Sequence, residues 1–241
     1  MKKIVPVIAL SGLLLAGCAQ VVSMLPEIGS VLASGGGLTT EEIIAGLKEA
    51  LTVGATNSAA LASKTDGFYL NSVIRIPFPQ EAIRVKDAVA GAGFSSLVSD
   101  FEKSLNRAAE EASKKALPIF KDAILGMTIT DARKILQGGE NAATLYLQGK
   151  TQSALVSEFT PVVKNALQTV DVTRYWTPLL TAYNTLTIGS GQPRVNTNLE
   201  QYVTEKALAG LFHLVGQEEK KIREDPAARV TEILKKVFGS G

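Results

Sequence analysis

The chain has 241 residues but only one cysteine, one histidine and one tryptophan, and aromatic side chains make up 6% of it. A single cysteine excludes an internal disulfide and any metal site built on thiolates. The lone histidine, His213, excludes histidine-rich metal centres, and a serine–histidine–acid triad would hang on that one imidazole. It stands in the helical run Leu211-Phe212-His213-Leu214, where a structural role is the expectation. Also missing are the phosphate-cradling Gly-x-x-x-x-Gly-Lys-Ser/Thr loop, a Gly-x-Gly-x-x-Gly turn, a calcium loop and the zinc-protease helix motif. No metal and no cofactor is expected.

Charge of one sign is lacking too. Lys2 and Lys3 account for the whole excess of 25 basic over 23 acidic side chains. Without them the chain is neutral, which removes the electrostatic case for nucleic acid.

What is present begins at the first residue. Met1-Lys2-Lys3, an apolar run from Ile4 to Leu15, then Ala16, Gly17 and Cys18 have the three-part layout of a secretory leader. The run is shorter than the roughly 20 apolar residues that cross a bilayer. Leu15-Ala16-Gly17-Cys18 resembles the lipobox of bacterial lipoproteins, in which cleavage leaves an acylated Cys as the new N-terminus. The resemblance implies a leader over 1–17, membrane anchoring through acyl chains on Cys18, and export. Ala19 follows the Cys rather than Asp, so in a Gram-negative host the expected address is the outer membrane, facing the periplasm. Residues 18–38, ending in Gly35-Gly36-Gly37, read as a flexible tether.

Residues 39–239 read as a single domain. Nearly half the side chains are apolar, enough for one core, and alanine, leucine, lysine and glutamate dominate, so an all-α multi-helix fold is expected. A capping pattern at Thr39-Thr40-Glu41-Glu42 predicts a helix over 40–63. Phe68 to Pro79, with two prolines and no helical period, predicts an extended strap, and Ile74, Ile76 and Phe78 are its candidate apolar contacts over a helix groove. A helix over 80–91 follows.

The next stripe runs Leu97, Phe101, Leu105, Ala108, Ala112, Ala116, Ile119 and Ala123, and Pro118 should kink or split it. Thr130 is the expected cap of a short helix over 131–137. Helices are also expected over 140–148, 152–169 with an interruption near Pro161, and 173–186, before a loop at Ile188–Pro193. Asn198 should cap a long helix carrying Leu199, Val203, Ala207, Leu211, Leu214 and Ile222. That helix ends in the i,i+4 pairs Glu219–Arg223 and Lys220–Glu224, read as a solvated face. Asp225-Pro226 should start the last helix.

Several segments in order resemble the bacterial domain-of-unknown-function family DUF4197, from about Leu38 to Phe238. They are Asp100-Phe101-Glu102 through Glu110, Met127 to Arg133, Ala142-Ala143-Thr144, Tyr202-Val203-Thr204, Gly210-Leu211-Phe212, Glu218 to Arg223 and Asp225 to Arg229. The resemblance implies an exported helical protein and no particular activity. The chain departs from the pattern at Gln148-Gly149 and around Ile188–Asn198.

The remaining candidate site is a polar group at the edge of the predicted core: Glu102, Asn106 and Arg107 with Asp131 and Arg133. It reads first as a structural network between helix and turn, second as a small polar pocket. Three functions stay open, in descending order. The first is a non-enzymatic interaction module for an envelope protein partner. The second is a carrier of a lipid or apolar ligand between helices, and the third a metal-independent enzyme using the Glu/Asn/Arg group. An oligomeric state is not legible.

Overall fold

Small side chains at helical spacing decide how closely the first helix can be approached. Helix α1, Thr40–Ser63, turns Gly46, Ala50, Gly54, Ala55, Ala59 and Ala62 inward. Such a face lets neighbouring helices come near without a large side chain between them. The computed structural model describes residues 39–91, 93, 95–169, 176 and 198–238. From Thr40 on, these form one compact unit.

Asp66, at a positive φ of 64°, turns the chain out of α1. Turns continue to Ile74, and only residues 75–79 run extended, so the strap is half turn and half strand-like rather than extended throughout. A 3-10 turn, Gln80–Ala82, leads into α2, Ile83–Gly91.

Pro118 splits the next helix, as its ring requires. α3 spans Ser95–Ser113 and α4 spans Ala116–Leu125. The break falls at Lys114-Lys115, where the ring of Pro118 would meet the carbonyl four residues back. There the amides of Lys114 and Lys115 reach back three residues instead, to Glu111 and Ala112. The break also rotates the buried face. Leu105, Ala108, Ala112 and Ala116 are fully buried on the expected stripe, but beyond Pro118 it is Phe120 and Ile124 that are buried, while Ile119 and Ala123 pack against the core only partly buried.

α5, Ile129–Gln137, is capped by Thr128 rather than Thr130. Thr128 Oγ1 accepts from the Asp131 amide while the Asp131 carboxylate accepts from the Thr128 amide, a reciprocal box that Thr130 cannot form from inside the helix. α6 runs unbroken from Ala142 to Thr169, through both Gly149 and Pro161, where two helices were expected. Pro161 and Ser157, whose carbonyl loses its partner, are both exposed, so water can serve that carbonyl. Buried Leu147, Leu155, Phe159 and Val163 hold both halves on one core.

α7, Leu199–Glu224, begins at Asn198, whose side chain accepts from the Gln201 amide, and all six stripe residues named above are buried. Asp225-Pro226 opens only a 3-10 turn, Pro226–Ala228; the last helix, α8, starts later, at Glu232, with Thr231 Oγ1 accepting from Leu234. One proline-initiated turn is satisfied by Asp225 alone, and Val230, 65% exposed, gives no apolar reason to continue it. The expected tether, the helix over 173–186 and the loop at Ile188–Pro193 lie outside the described residues, apart from Trp176, which is helical and buried.

α7 packs against α1, α3 and α6, while α3 also packs against α6 and α4 against α1 and α6. The core is therefore built on helix packing around α7, with Phe68, Ile74, Ile76 and Phe78 of the strap buried in it. Among the described residues no helix is long and apolar enough to cross a membrane.

Two glycines separate packing from propensity. A Cβ on Gly210 of α7 would stand 2.7 Å from Phe68 Cε1 and 3.1 Å from Ile74 Cβ, whereas one on Gly149 meets nothing within 4 Å. We expect Gly210→Ala to destabilise by about 1–3 kcal/mol through overpacking and Gly149→Ala to stabilise by about 0.5–1 kcal/mol. Urea denaturation of the two variants should give shifts of opposite sign.

Candidate functional site

Glu102, Asn106 and Glu110 stand four residues apart on α3, so they form one row along a single face. All three are buried, and all three point their polar atoms at the strap or at the residues that flank it. The segment 66–79 is held by this row.

Asn106, fully buried, acts on Ile76 as a neighbouring β-strand would. Its Oδ1 accepts from the Ile76 amide at 2.8 Å, and its Nδ2 donates to the Ile76 carbonyl at 2.8 Å and to the Glu102 carbonyl at 2.7 Å. Both backbone groups of a buried, extended residue are thereby satisfied without a sheet.

Glu110 Oε1 accepts from the amides of Phe68 and Tyr69 at 3.1 and 3.2 Å. Its Oε2 takes Arg107 Nη1, while Arg107 Nη2 donates to Asp66 Oδ1 at 2.7 Å. The bond to Glu110 raises the Arg107 pKa above its usual value against the opposing effect of burial, and Asp66 adds to the rise.

Glu102 receives Arg75 at 2.9 Å and Lys86 at 3.3 Å, tying the strap and α2 to α3. Further along, Tyr202 of α7 donates to the Pro77 carbonyl at 3.1 Å. The apolar side chains of the strap point inward: Ile74, Ile76 and Phe78 are 6%, 1% and 5% exposed, and Phe78 meets the rings of Phe101 and Trp176. This row serves to hold a segment. Each carboxylate is engaged by N–H donors.

Asp131 and Arg133 do not join the row. Among the described residues neither makes a hydrogen bond or ion pair with Glu102, Asn106 or Arg107. Asp131 is spent on the Thr128 cap, whose hydrogen bonds lower its pKa below the ordinary 3.8, so the cap is complete above that value and lost as pH falls through the lowered one. Arg133 is exposed. His213 is also exposed, with Gln217 Nε2 at 3.0 Å from its ring nitrogen.

Glu219 is the polar residue that the sequence reading misplaced. The Glu219–Arg223 pair forms, at 2.8 Å, and so does Lys220–Glu224, at 4.0 Å, but Glu219 is buried rather than solvated. It accepts from the amides of Ala143 and Thr144 and from Thr144 Oγ1, at 3.1, 2.9 and 2.8 Å. A carboxylate is thus set at the positive end of α6. The signal was spacing: Glu219 falls four residues after Leu211-to-Val215 and three before Ile222 on the buried stripe.

Beside Glu219 and Arg223 lies a cavity of about 30 Å³, walled by Leu47, Leu51, Ala143 and Val215. It has room for a water or two, against the roughly 300–1,000 Å³ of a small-molecule site. Among the described residues no group of three or more His, Cys, Asp or Glu side chains is placed to hold a metal ion.

The family follows at this point, since a model of it matches residues 37–239. The chain belongs to the DUF4197 family, described as proteins of unknown function. No curated protein and no solved structure matches the chain. For this member of DUF4197, then, the geometry has to carry the functional argument, and the segments that bear the resemblance include the row on α3 and the Glu219 cap.

Truncating Asn106 orphans two buried backbone groups, so Asn106→Ala should cost about 1–3 kcal/mol for each group left unpaired. Arg75→Ala removes an ion pair whose Glu102 keeps Lys86 and an exposed contact with the Tyr69 ring, and should cost at most about 1 kcal/mol. Chemical denaturation compares the two, and equal losses would refute the primacy of the amide clamp.

Proposed function

We propose that this protein is an exported envelope lipoprotein, cleaved before Cys18, acylated there, and acting as a non-enzymatic interaction module for an envelope protein partner. In a Gram-negative host its address is the outer membrane, with the helical unit in the periplasm. Two or three acyl chains, at roughly 0.8 kcal/mol per buried CH₂, make such an anchor stable. The observation that carries the interaction reading is that the buried polar side chains Glu102, Asn106, Glu110 and Glu219 are each engaged inside the fold. Groups so committed hold structure and are not presented to a substrate.

The carrier reading ranks second. Its motive was the apolar strap, but Ile74, Ile76 and Phe78 pack into the core instead of lining a chamber. An enzyme built on the Glu102–Asn106–Arg107 group ranks third, because its members stabilise the strap.

Metabolic labelling with a clickable palmitate analogue tests the anchor. The wild-type chain should take up label and fractionate with membranes, and Cys18→Ser should do neither; label on both would sink the reading. Native mass spectrometry of the mature protein should give the mass of the chain and its anchor alone, whereas a stoichiometric extra lipid would move the carrier to first place.

A further inference from the structure

The turn between α4 and α5 leaves two large apolar side chains in solvent. Leu125 is 74% exposed and Ile129 53%. Each has a basic residue four positions away on its own helix face, Lys121 before Leu125 and Arg133 after Ile129, both exposed. Lys48 arrives from α1 and donates to the Leu125 carbonyl at 3.0 Å.

On the other flank Tyr146 of α6 donates to the Ala123 carbonyl at 3.3 Å, and Lys150 Nζ lies 5.6 Å from the centre of its ring. The acids on α4 and α5 are Asp122, which is exposed, and Asp131, which holds the Thr128 cap and faces Lys134 and Lys150. Cations outnumber anions around two bare aliphatic tips. A tyrosine stands at the rim.

The strap also exposes apolar side chains, Leu70 and Val73, at 73% and 63%. There the two arginines that meet α3 are already committed, Arg75 to Glu102 and Arg107 to Glu110 and Asp66. That tip follows the C-terminal end of α1, about 22 Å along the helix from Lys48 at 1.5 Å per residue. The two tips therefore differ in charge and lie at different ends.

We infer that the α4–α5 corner is a membrane-contact site for an anionic phospholipid surface. Leu125 and Ile129 enter the boundary of the acyl chains while Lys48, Lys121, Arg133 and Lys150 meet phosphate groups. Aliphatic tips framed by snorkelling cations and an interfacial tyrosine suit that boundary, and clustered Lys and Arg are drawn to anionic headgroups. The inference rests on the lipid-anchored reading for its setting: segment 19–39 joins Cys18 to α1, and Lys48 lies two turns into that helix.

Because Cys18 is the sole cysteine, Leu125→Cys creates one reactive thiol in the acylated protein. The variant, purified from membranes and labelled with an environment-sensitive fluorophore, is reconstituted into vesicles of phosphatidylethanolamine and phosphatidylglycerol. Expected is a blue-shifted emission that lipid-borne spin labels quench. Val73→Cys, treated alike, should keep a water-exposed spectrum. Adding Lys121→Glu and Arg133→Glu to Leu125→Cys should abolish the shift.

A Leu125 probe that stays as water-exposed as the Val73 probe overturns the inference. So does a shift that survives both charge reversals, and so does one that appears only when envelope protein extract is added, which would assign the corner to a protein. The wild-type chain reports separately on the anchor, since it takes up thiol probe only if Cys18 is not acylated. In that event the anchor falls, and Cys18→Ser with Leu125→Cys, mixed with the same vesicles, must still show the shift or the corner falls with it.

Discussion

A buried strand-like segment with no sheet among the described residues to join needs partners for its backbone, and Asn106 supplies them for Ile76. An amide side chain carries the same donor and acceptor as a peptide group, so it can stand in for one residue of a missing strand. With that pairing in place, Ile76 and its neighbours can be buried, and the strap becomes part of the core. Phe68 and Ile74 then close on Gly210, where α7 has no side chain to obstruct them. Glu110 repeats the device one turn further along for the amides of Phe68 and Tyr69. Thus three side chains on α3 set the path of a segment that has no regular structure of its own.

Glu219 solves a related problem at the start of α6. The first amides of a helix lack acceptors within it, and here a carboxylate from α7 provides them, with Arg223 balancing its charge. Removing one member of such a buried pair leaves the other uncompensated, which is costly even where the intact pair adds little net stability. The row on α3 and the Glu219 cap both use buried polar atoms to fix register between elements distant in sequence.

The legible parts of this fold were those governed by local chemistry. The first helix, the cap at Asn198, the stripe of α7 and the split at Pro118 follow from spacing, capping and the proline ring, which act within a few residues. What was not legible depended on tertiary context. Pro161 could stay inside α6 because Ser157, whose carbonyl the ring leaves unpaired, is exposed to water, and Thr128 displaced Thr130 as cap because only Thr128 can exchange two bonds with Asp131. The grouping of Asp131 and Arg133 with Glu102 failed for the same reason, since residues on different helices are brought together by packing angles that no spacing encodes. Asn106 was recognisable as a polar residue beside a core stripe; that its partner would be the backbone of Ile76 was not.

A net charge of only +2 bears on solubility and non-specific binding, yet it says little about any one face. The carboxylates of the strap end neutralise Arg75 and Arg107, whereas on α4 and α5 Lys121, Arg133 and Lys134 outnumber Asp122 and Asp131. The same overall balance therefore yields one end with paired charges and another with a local cationic surplus. Under the proposed reading, the acyl chains on Cys18 supply the attachment, and a tethered corner meets the bilayer at high effective concentration. Such a contact binds through its own affinity, and the tether raises its occupancy. Its physical effect would be on orientation, favouring the arrangements in which the α4–α5 end faces lipid and the strap tip, with Leu70 and Val73 exposed, is left open to a protein partner.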